Sequence, residues 1–250
     1  MLPVFVVNLD RSPERLAAVG GELDRLGIVW ERFAAVDGRA LPADVAARNR
    51  VVPWRRPLRL GEIGCFASHH TIWRLIVERG LDAAVVLEDD IHLGTRLPEV
   101  LALLETTPER PDFLRLMALA PKPGPAGPAL GAFSTVEAFA FSVCSGTQGY
   151  FLTAAAARRF LAAAERWTLP VDNYMDKSWM HGVPNLRLDP PVIVCAAFAS
   201  EIVAMAPPPT GRRGWVDRLL QEAGRIVEWF AYAAWVVRRH LPRGLPRRDG

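Results

Sequence analysis

The sequence predicts an α/β fold with a largely parallel central sheet, followed by a basic helical tail. Two observations carry this expectation. Short apolar runs that stop abruptly at polar residues, as doubly buried strands do, alternate with longer segments of helical period. Glycine and proline punctuate the joins between them. Of the 250 residues, 50% are hydrophobic and 23% charged, enough apolar material for one large domain or two small ones. The boundary is placed between a domain at 1–205 and a tail at 206–250.

The elements follow in order. Val4–Leu9 reads as a buried strand, and Ser12-Pro13 opens a helix that Gly27 closes. Ile28–Val36 is a second strand, and the polar residues 39–60 are loop or short helix. Gly61–Gly80 carries apolar residues at helical spacing and ends in glycine. Ala83–Leu87 is a continuous strand, followed by a helix around Leu97–Glu105 and a strand at Phe113–Leu119. Pro121–Gly131, rich in proline and glycine, reads as a mobile loop. Val136–Val143 and Gly149–Leu152 are strands, and Thr153 caps a helix over Ala154–Arg166. Leu186–Cys195 is a late strand broken by Pro190-Pro191.

The net charge of +3 conceals an asymmetry, because nine arginines stand against four acids from Gly211 onward. The body is therefore slightly acidic and offers no nucleic-acid surface. Cys65, Cys144 and Cys195 form no CxxC pair, which fits buried thiols in a reducing compartment. The opening run lacks a basic segment before it, so a cytoplasmic body is expected.

The sharpest feature is Glu88-Asp89-Asp90 at the end of the Ala83–Leu87 strand. Side chains alternate along an extended chain, so Glu88 and Asp90 face one side and Asp89 the other. Three adjacent carboxylates repel one another, and a hard cation, Mn²⁺ or Mg²⁺, relieves that repulsion through oxygen ligands. Ligands of open α/β sheets gather at such strand ends. The bland alternative is a solvated turn or helix cap, and the same acids suit glycosyl transfer, phosphoester hydrolysis or nucleotidyl transfer. An aspartyl-phosphate mechanism needs a well-placed lysine, and Lys122 and Lys177 have no suitable setting.

Several blocks resemble, in order, those of family 25 glycosyltransferases, the lipooligosaccharide and lipopolysaccharide sugar transferases related to collagen galactosyltransferases. They are Val7–Arg15, Phe33–Gly38, Gly61–His69 with Trp73, Val86–Asp90, Gly146–Tyr150 and Pro170–Asp172, within roughly residues 4–202. The resemblance implies a GT-A-type Rossmann-like nucleotide-sugar-binding fold, inverting chemistry and a UDP-hexose donor such as UDP-galactose or UDP-glucose. A non-catalytic relative that binds the donor remains an alternative.

Set in that frame, Asn8, Asp10 and Arg11 leave the first strand where a nucleotide would lie, and Arg15 is one turn on, within reach of a phosphate. Ser68 and His69 are assigned to the donor with Glu88 and Asp89, and Glu88 and Asp90 to the metal. A lone helical histidine is as readily structural as functional, and His70 and His181 carry no motif support. Asp172 is the candidate base that takes the acceptor's hydroxyl proton, with a helix N-cap as its other reading and Asp176 and Asp37 as substitutes. Gln148 and Tyr150 are assigned to the acceptor, Tyr150 with strand packing as its alternative.

Residues 212–241 read as a helix of arginine and aromatic residues whose most apolar run, Trp229–Val237, is too short to span a bilayer, which takes about 20 residues. The composition suits a segment lying in the membrane interface, peripheral to the inner membrane and close to a lipid-linked glycan acceptor. Packing on the domain is the alternative.

Overall fold

The computed structural model describes residues 1–49, 52, 55–119, 123–138, 146–196 and 215–240. Nine strands are found among them: β1 (Val4–Asn8), β2 (Glu31–Ala34), β3 (Ala83–Glu88), β4 (Ile91–Leu93), β5 (Phe113–Arg115), β6 (Ser134–Glu137), β7 (Gly149–Thr153), β8 (Leu186–Asp189) and β9 (Ile193–Cys195). The helices are α1 (Pro13–Arg25), α2 (Ala43–Ala46), α3 (Leu60–Glu78), α4 (Leu97–Thr106), α5 (Ala154–Ala163), α6 (Val171–Met175), α7 (Ser178–His181) and α8 (Trp215–His240).

Seven strands form one sheet in the order β2-β1-β3-β7-β5-β8-β6. Five run in one direction, while β7 and β6 run against their neighbours, so the sheet is mixed. Cores form on both faces, because the strands alternate. Val4, Val6, Val85 and Leu87 pack with Val19 and Leu23 of α1 and Val100 and Leu104 of α4. Phe5, Val7, Ala84 and Val86 pack with Phe66 and Trp73 of α3 and Phe160 of α5. Phe66 stacks on Trp167 at 4.6 Å between centroids.

Several segments differ from the sequence expectation, each for a physical reason. Leu186–Cys195 is two strands in two sheets: Pro190-Pro191 carries the chain out of β8, and β9 pairs with β4 instead. Ala196 N–H then donates to the Asp90 carbonyl at 2.8 Å, which braces the acidic turn. The Pro121–Gly131 segment, from residue 123 on, is laid along β6, with Gly127 N–H donating to Thr135 O at 2.8 Å and Glu137 N–H to Pro125 O at 2.9 Å. Positions 121, 122 and 139–143 lie outside the described residues, and the expected Val136–Val143 strand is seen as Ser134–Glu137. Ser12 occupies the N-cap position of α1 without a side-chain capping bond, whereas Thr153 caps α5 by accepting from Ala156 N–H.

The tail helix α8 docks by its polar side. Glu228 pairs with Arg55 and Lys177, Arg239 with Glu137, and Tyr232 meets Trp179 edge-on at 5.3 Å. The proposed boundary near 205 and the terminal residues from 241 lie outside the described residues.

One contact fixes the approach of α3 to the loop after β2. A Cβ on Gly38 would stand 2.0 Å from Leu60 O, and one on Gly64 would stand 2.7 Å from both Gly38 N and Val36 O. Backbone cannot yield as a flexible side chain does, so Gly38→Ala should lower unfolding free energy by about 1–3 kcal/mol. Exposed Gly21, in the interior of α1 with nothing near its would-be Cβ, is the control, and its change to Ala should be neutral or stabilise by up to about 1 kcal/mol. Urea unfolding of both variants checks the pair.

Candidate active site

The site grows from strand register. On β1 and β3, even positions of β3 face α3 and odd positions face α1, as the two cores show. Glu88 therefore continues the α3-facing set and Asp89 the α1-facing set. Glu88 meets His69 Nε2 at 3.4 Å and accepts from the Thr147 hydroxyl. Asp89 accepts from Asn8 Nδ2 at 2.7 Å and pairs with Arg15 at 3.7 Å. Asp90 leaves the strand and lies half-buried beside Glu88.

Two cavities meet at this point. The first is lined by Arg11, Ser12, Arg15, Gly38, Gly61, Ser68, His69 and Asp89. The second is lined by Arg56, Glu62, Gln148, Pro170 and Asp172. Cys65, Glu88 and Asp90 line both. Arg11, Arg15, Ser68, His69, Glu88 and Asp89 thus line the first cavity together, while Gln148 and Asp172 line the second.

Other assigned residues fall elsewhere. Asn8 lies beneath the first cavity rather than on its wall; being α1-facing, it donates to Ser12 O at 2.8 Å as well as to Asp89, and accepts from Arg32. Asp10 is an exposed partner of Arg32. Tyr150 lines neither cavity: on β7 it faces α3, fully buried, and its oxygen lies 2.8 Å from His69 Nδ1 and accepts from Trp73 Nε1 at 3.0 Å. The packing alternative holds for Tyr150, and it meets the site through His69.

Asp172 is not an N-cap. Pro170 occupies that position, and Asp172 sits in the first turn of α6, accepting from Gly146 N–H at 3.3 Å. Asp176 is buried against Arg115 at 2.8 Å, which removes it as a substitute base, and Asp37 is paired with Arg11 outside the second cavity. Arg115 also donates to the carbonyls of Gly146 and Asp172, tying together both edges of that cavity. His181 is a neutral core residue, its pKa pushed down to about 3 by burial, with Nδ1 accepting from Val183 N–H. His70 is likewise held down, to about 4, chiefly by burial.

Burial, then Glu88 and Asp89, push Asp90 up to about 6, and burial also raises Asp89. Asp90 Oδ1 and Gln148 Oε1 are buried and, among the described residues, accept from no donor. Orphaned acceptor oxygens on one cavity beside crowded carboxylates form the donor set a hard divalent ion takes, so Glu88 and Asp90 fit Mn²⁺ or Mg²⁺.

Five residues of the site carry no role in the sequence reading. Cys65 read as a buried thiol; its place one turn before His69 on the same helix face was the available signal. Thr147 lies within the Gly146–Tyr150 block, which by itself gives it no role. Arg115 and the Arg56–Glu62 pair gave no local signal, since their partners are distant in sequence or lie in loop.

The model of glycosyltransferase family 25 (LPS biosynthesis protein) matches residues 1–122 and 133–175. A glycosyltransferase 25 family member of Aedes aegypti is 40% identical over 98 residues, 36% of this chain and 16% of that protein. The Bos taurus protein called "Probable inactive glycosyltransferase 25 family member 3" is 32% identical over 189 residues, 69% of this chain and 31% of its own length. Procollagen galactosyltransferase 1 of Danio rerio is 29% identical over 232 residues, 86% of this chain and 38% of its own. The chain thus spans well under half the length of these animal relatives. It belongs to glycosyltransferase family 25.

Proposed function

We propose that the chain is an inverting hexosyltransferase, using a nucleotide sugar such as UDP-galactose or UDP-glucose and a hydroxyl of a surface glycan. The observation that carries this is the meeting of two cavities at Glu88 and Asp90, with arginines on one side and a carboxylate on the other. The family model's description supports a lipopolysaccharide-type acceptor, and the zebrafish relative's name supports galactose.

In this scheme Arg11 and Arg15 bind the diphosphate by charge-assisted hydrogen bonds. Glu88 and Asp90 hold the divalent ion, whose chemistry is to neutralise charge on the leaving nucleoside diphosphate. Asp172 accepts the acceptor's hydroxyl proton as that oxygen attacks the anomeric carbon, and Gln148 orients the acceptor. Arg115 fixes the Asp172 backbone, so the base approaches from a set direction.

The tail supports work at a membrane. Trp215, Leu219, Ile226, Val227, Trp229, Phe230 and Val237 of α8 are exposed on the side opposite Glu228 and Tyr232. At 100° per residue they share one broad arc flanked by Arg218, Arg225 and Arg238, the arrangement of an interfacial helix drawn to anionic lipid. No helix among the described residues is long and apolar enough to cross a membrane. The proposed location is the cytoplasmic face of the inner membrane, beside a lipid-linked acceptor.

Three outcomes are expected. Asp172→Asn should lower kcat by about 10²–10⁴-fold while nucleotide-sugar thermal shifts persist; unchanged turnover removes Asp172 as the base. The raised Asp90 pKa favours the fold below about pH 4 and that contribution is lost as pH rises through about 6. Asp90→Asn should therefore gain on the order of 2–3 kcal/mol at pH 7.5, gain little at pH 4, and lose stabilisation by Mn²⁺, as calorimetry can read. The full chain should sediment with vesicles containing phosphatidylglycerol but weakly with phosphatidylcholine alone, and Trp229→Ser/Phe230→Ser should abolish this. Equal partitioning of variant and wild type would remove α8 from membrane contact.

A further inference from the structure

We propose that Cys65, His69 and Glu88 form a distinct site for a soft or borderline divalent cation of the Zn²⁺ class, sharing Glu88 with the hard-ion pair. The thiol Sγ, an imidazole nitrogen of His69 and a Glu88 carboxylate oxygen all lie within 4.8 Å of one another. Tetrahedral zinc with bonds of about 2.0–2.3 Å sets its ligands roughly 3.4–3.8 Å apart. His69 Nε2 and Glu88 Oε1 already stand at 3.4 Å, the separation such a centre needs.

The supporting residues are those a metal centre needs. Cys65 and His69 are four apart on α3, which puts both on one face of a rigid, buried helix. Tyr150 holds His69 Nδ1 at 2.8 Å, so the nitrogen turned toward the sulfur and carboxylate is Nε2, and Nδ1–H donates to the Tyr150 oxygen when the metal binds. The Thr147 hydroxyl fixes Glu88 and stands 3.9 Å from Cys65 Sγ. Cys65 and Glu88 open onto both cavities, which supplies an entry path and a free fourth position.

The chemistry separates this site from the carboxylate pair. Mg²⁺ and Mn²⁺ favour oxygen, whereas a thiolate and an imidazole select zinc and its neighbours. Binding places the metal on sulfur as the thiol proton leaves to solvent, with no change of oxidation state. Because Glu88 serves both sets, zinc at this site competes with the hard ion, and micromolar zinc should oppose Mn²⁺ stabilisation of the protein.

Cobalt(II) is the probe, read on full-length Cys144→Ser/Cys195→Ser protein, in which Cys65 is the sole thiol. The expected result is a thiolate-to-cobalt charge-transfer band with visible bands of tetrahedral intensity, displaced by one equivalent of Zn²⁺ and lost in Cys65→Ser. Absence of the charge-transfer band, or its survival in Cys65→Ser, overturns the proposal. The rate of Cys65 alkylation in the same single-thiol protein tests it with all three ligand residues in place. Zn²⁺ at ten times its Kd should slow the reaction about tenfold by mass action, whereas Mg²⁺ should not. Equal rates with and without zinc overturn it too. Either result stands apart from the transferase assignment, since neither readout needs a sugar donor.

Discussion

Three consecutive carboxylates at the end of a buried strand are the constraint on which the site is built. Their repulsion could be eased by solvent, but burial denies Asp89 and Asp90 that route and raises both pKa values. The two-residue period of β3 divides them instead. Asp89 goes to the α1 side, where Asn8 and Arg15 receive it, and Glu88 goes to the α3 side, against His69 and Thr147. Among the described residues, Asp90 keeps one buried oxygen without a hydrogen-bond partner.

The rest of the fold serves that division. Parallel β1 brings Asn8 to the same end and side as Asp89. Glycines at 38 and 64 let α3 approach the loop after β2, which sets Cys65, Ser68 and His69 on the wall of the first cavity. Antiparallel β7 returns along β3 and delivers Thr147 and Gln148 from the opposite direction. Arg115, buried on β5, closes the other side by holding Gly146, Asp172 and Asp176 at once. Removing it would take from Asp176 its buried guanidinium partner, so this pair is structural in the first place.

Much of this was legible in the sequence, and the parts that were not have a common cause. β1, α3 and β3 announce themselves because burial on both faces writes continuous apolar runs or a glycine-bounded helix. The alternation of Glu88 and Asp89 follows from strand geometry alone. What one-dimensional spacing cannot show is which side of a strand meets which helix. Asn8 and Tyr150 were therefore assigned to ligands, while the fold turns one under Asp89 and the other under Trp73. Asp172 and Asp176 are equivalent acids in sequence until Arg115, distant along the chain, claims the second. The break at Pro190-Pro191 was visible, but the new partner of the second half, β4, was not. On α8 the aromatic and arginine pattern was plain, yet it could not show that the polar side docks and the apolar side faces outward.

Strand register sets the proposed cation-holding pair, Glu88 and Asp90, apart from the internally compensated Asp89. Diffraction at the manganese absorption edge, from crystals grown with Mn²⁺ and a nucleoside diphosphate, tests this most directly. An anomalous peak is expected within bonding distance of Glu88 and Asp90 oxygens, with Asp89 still paired to Asn8 and Arg15. A peak coordinated by Asp89, or one distant from Asp90, would contradict it.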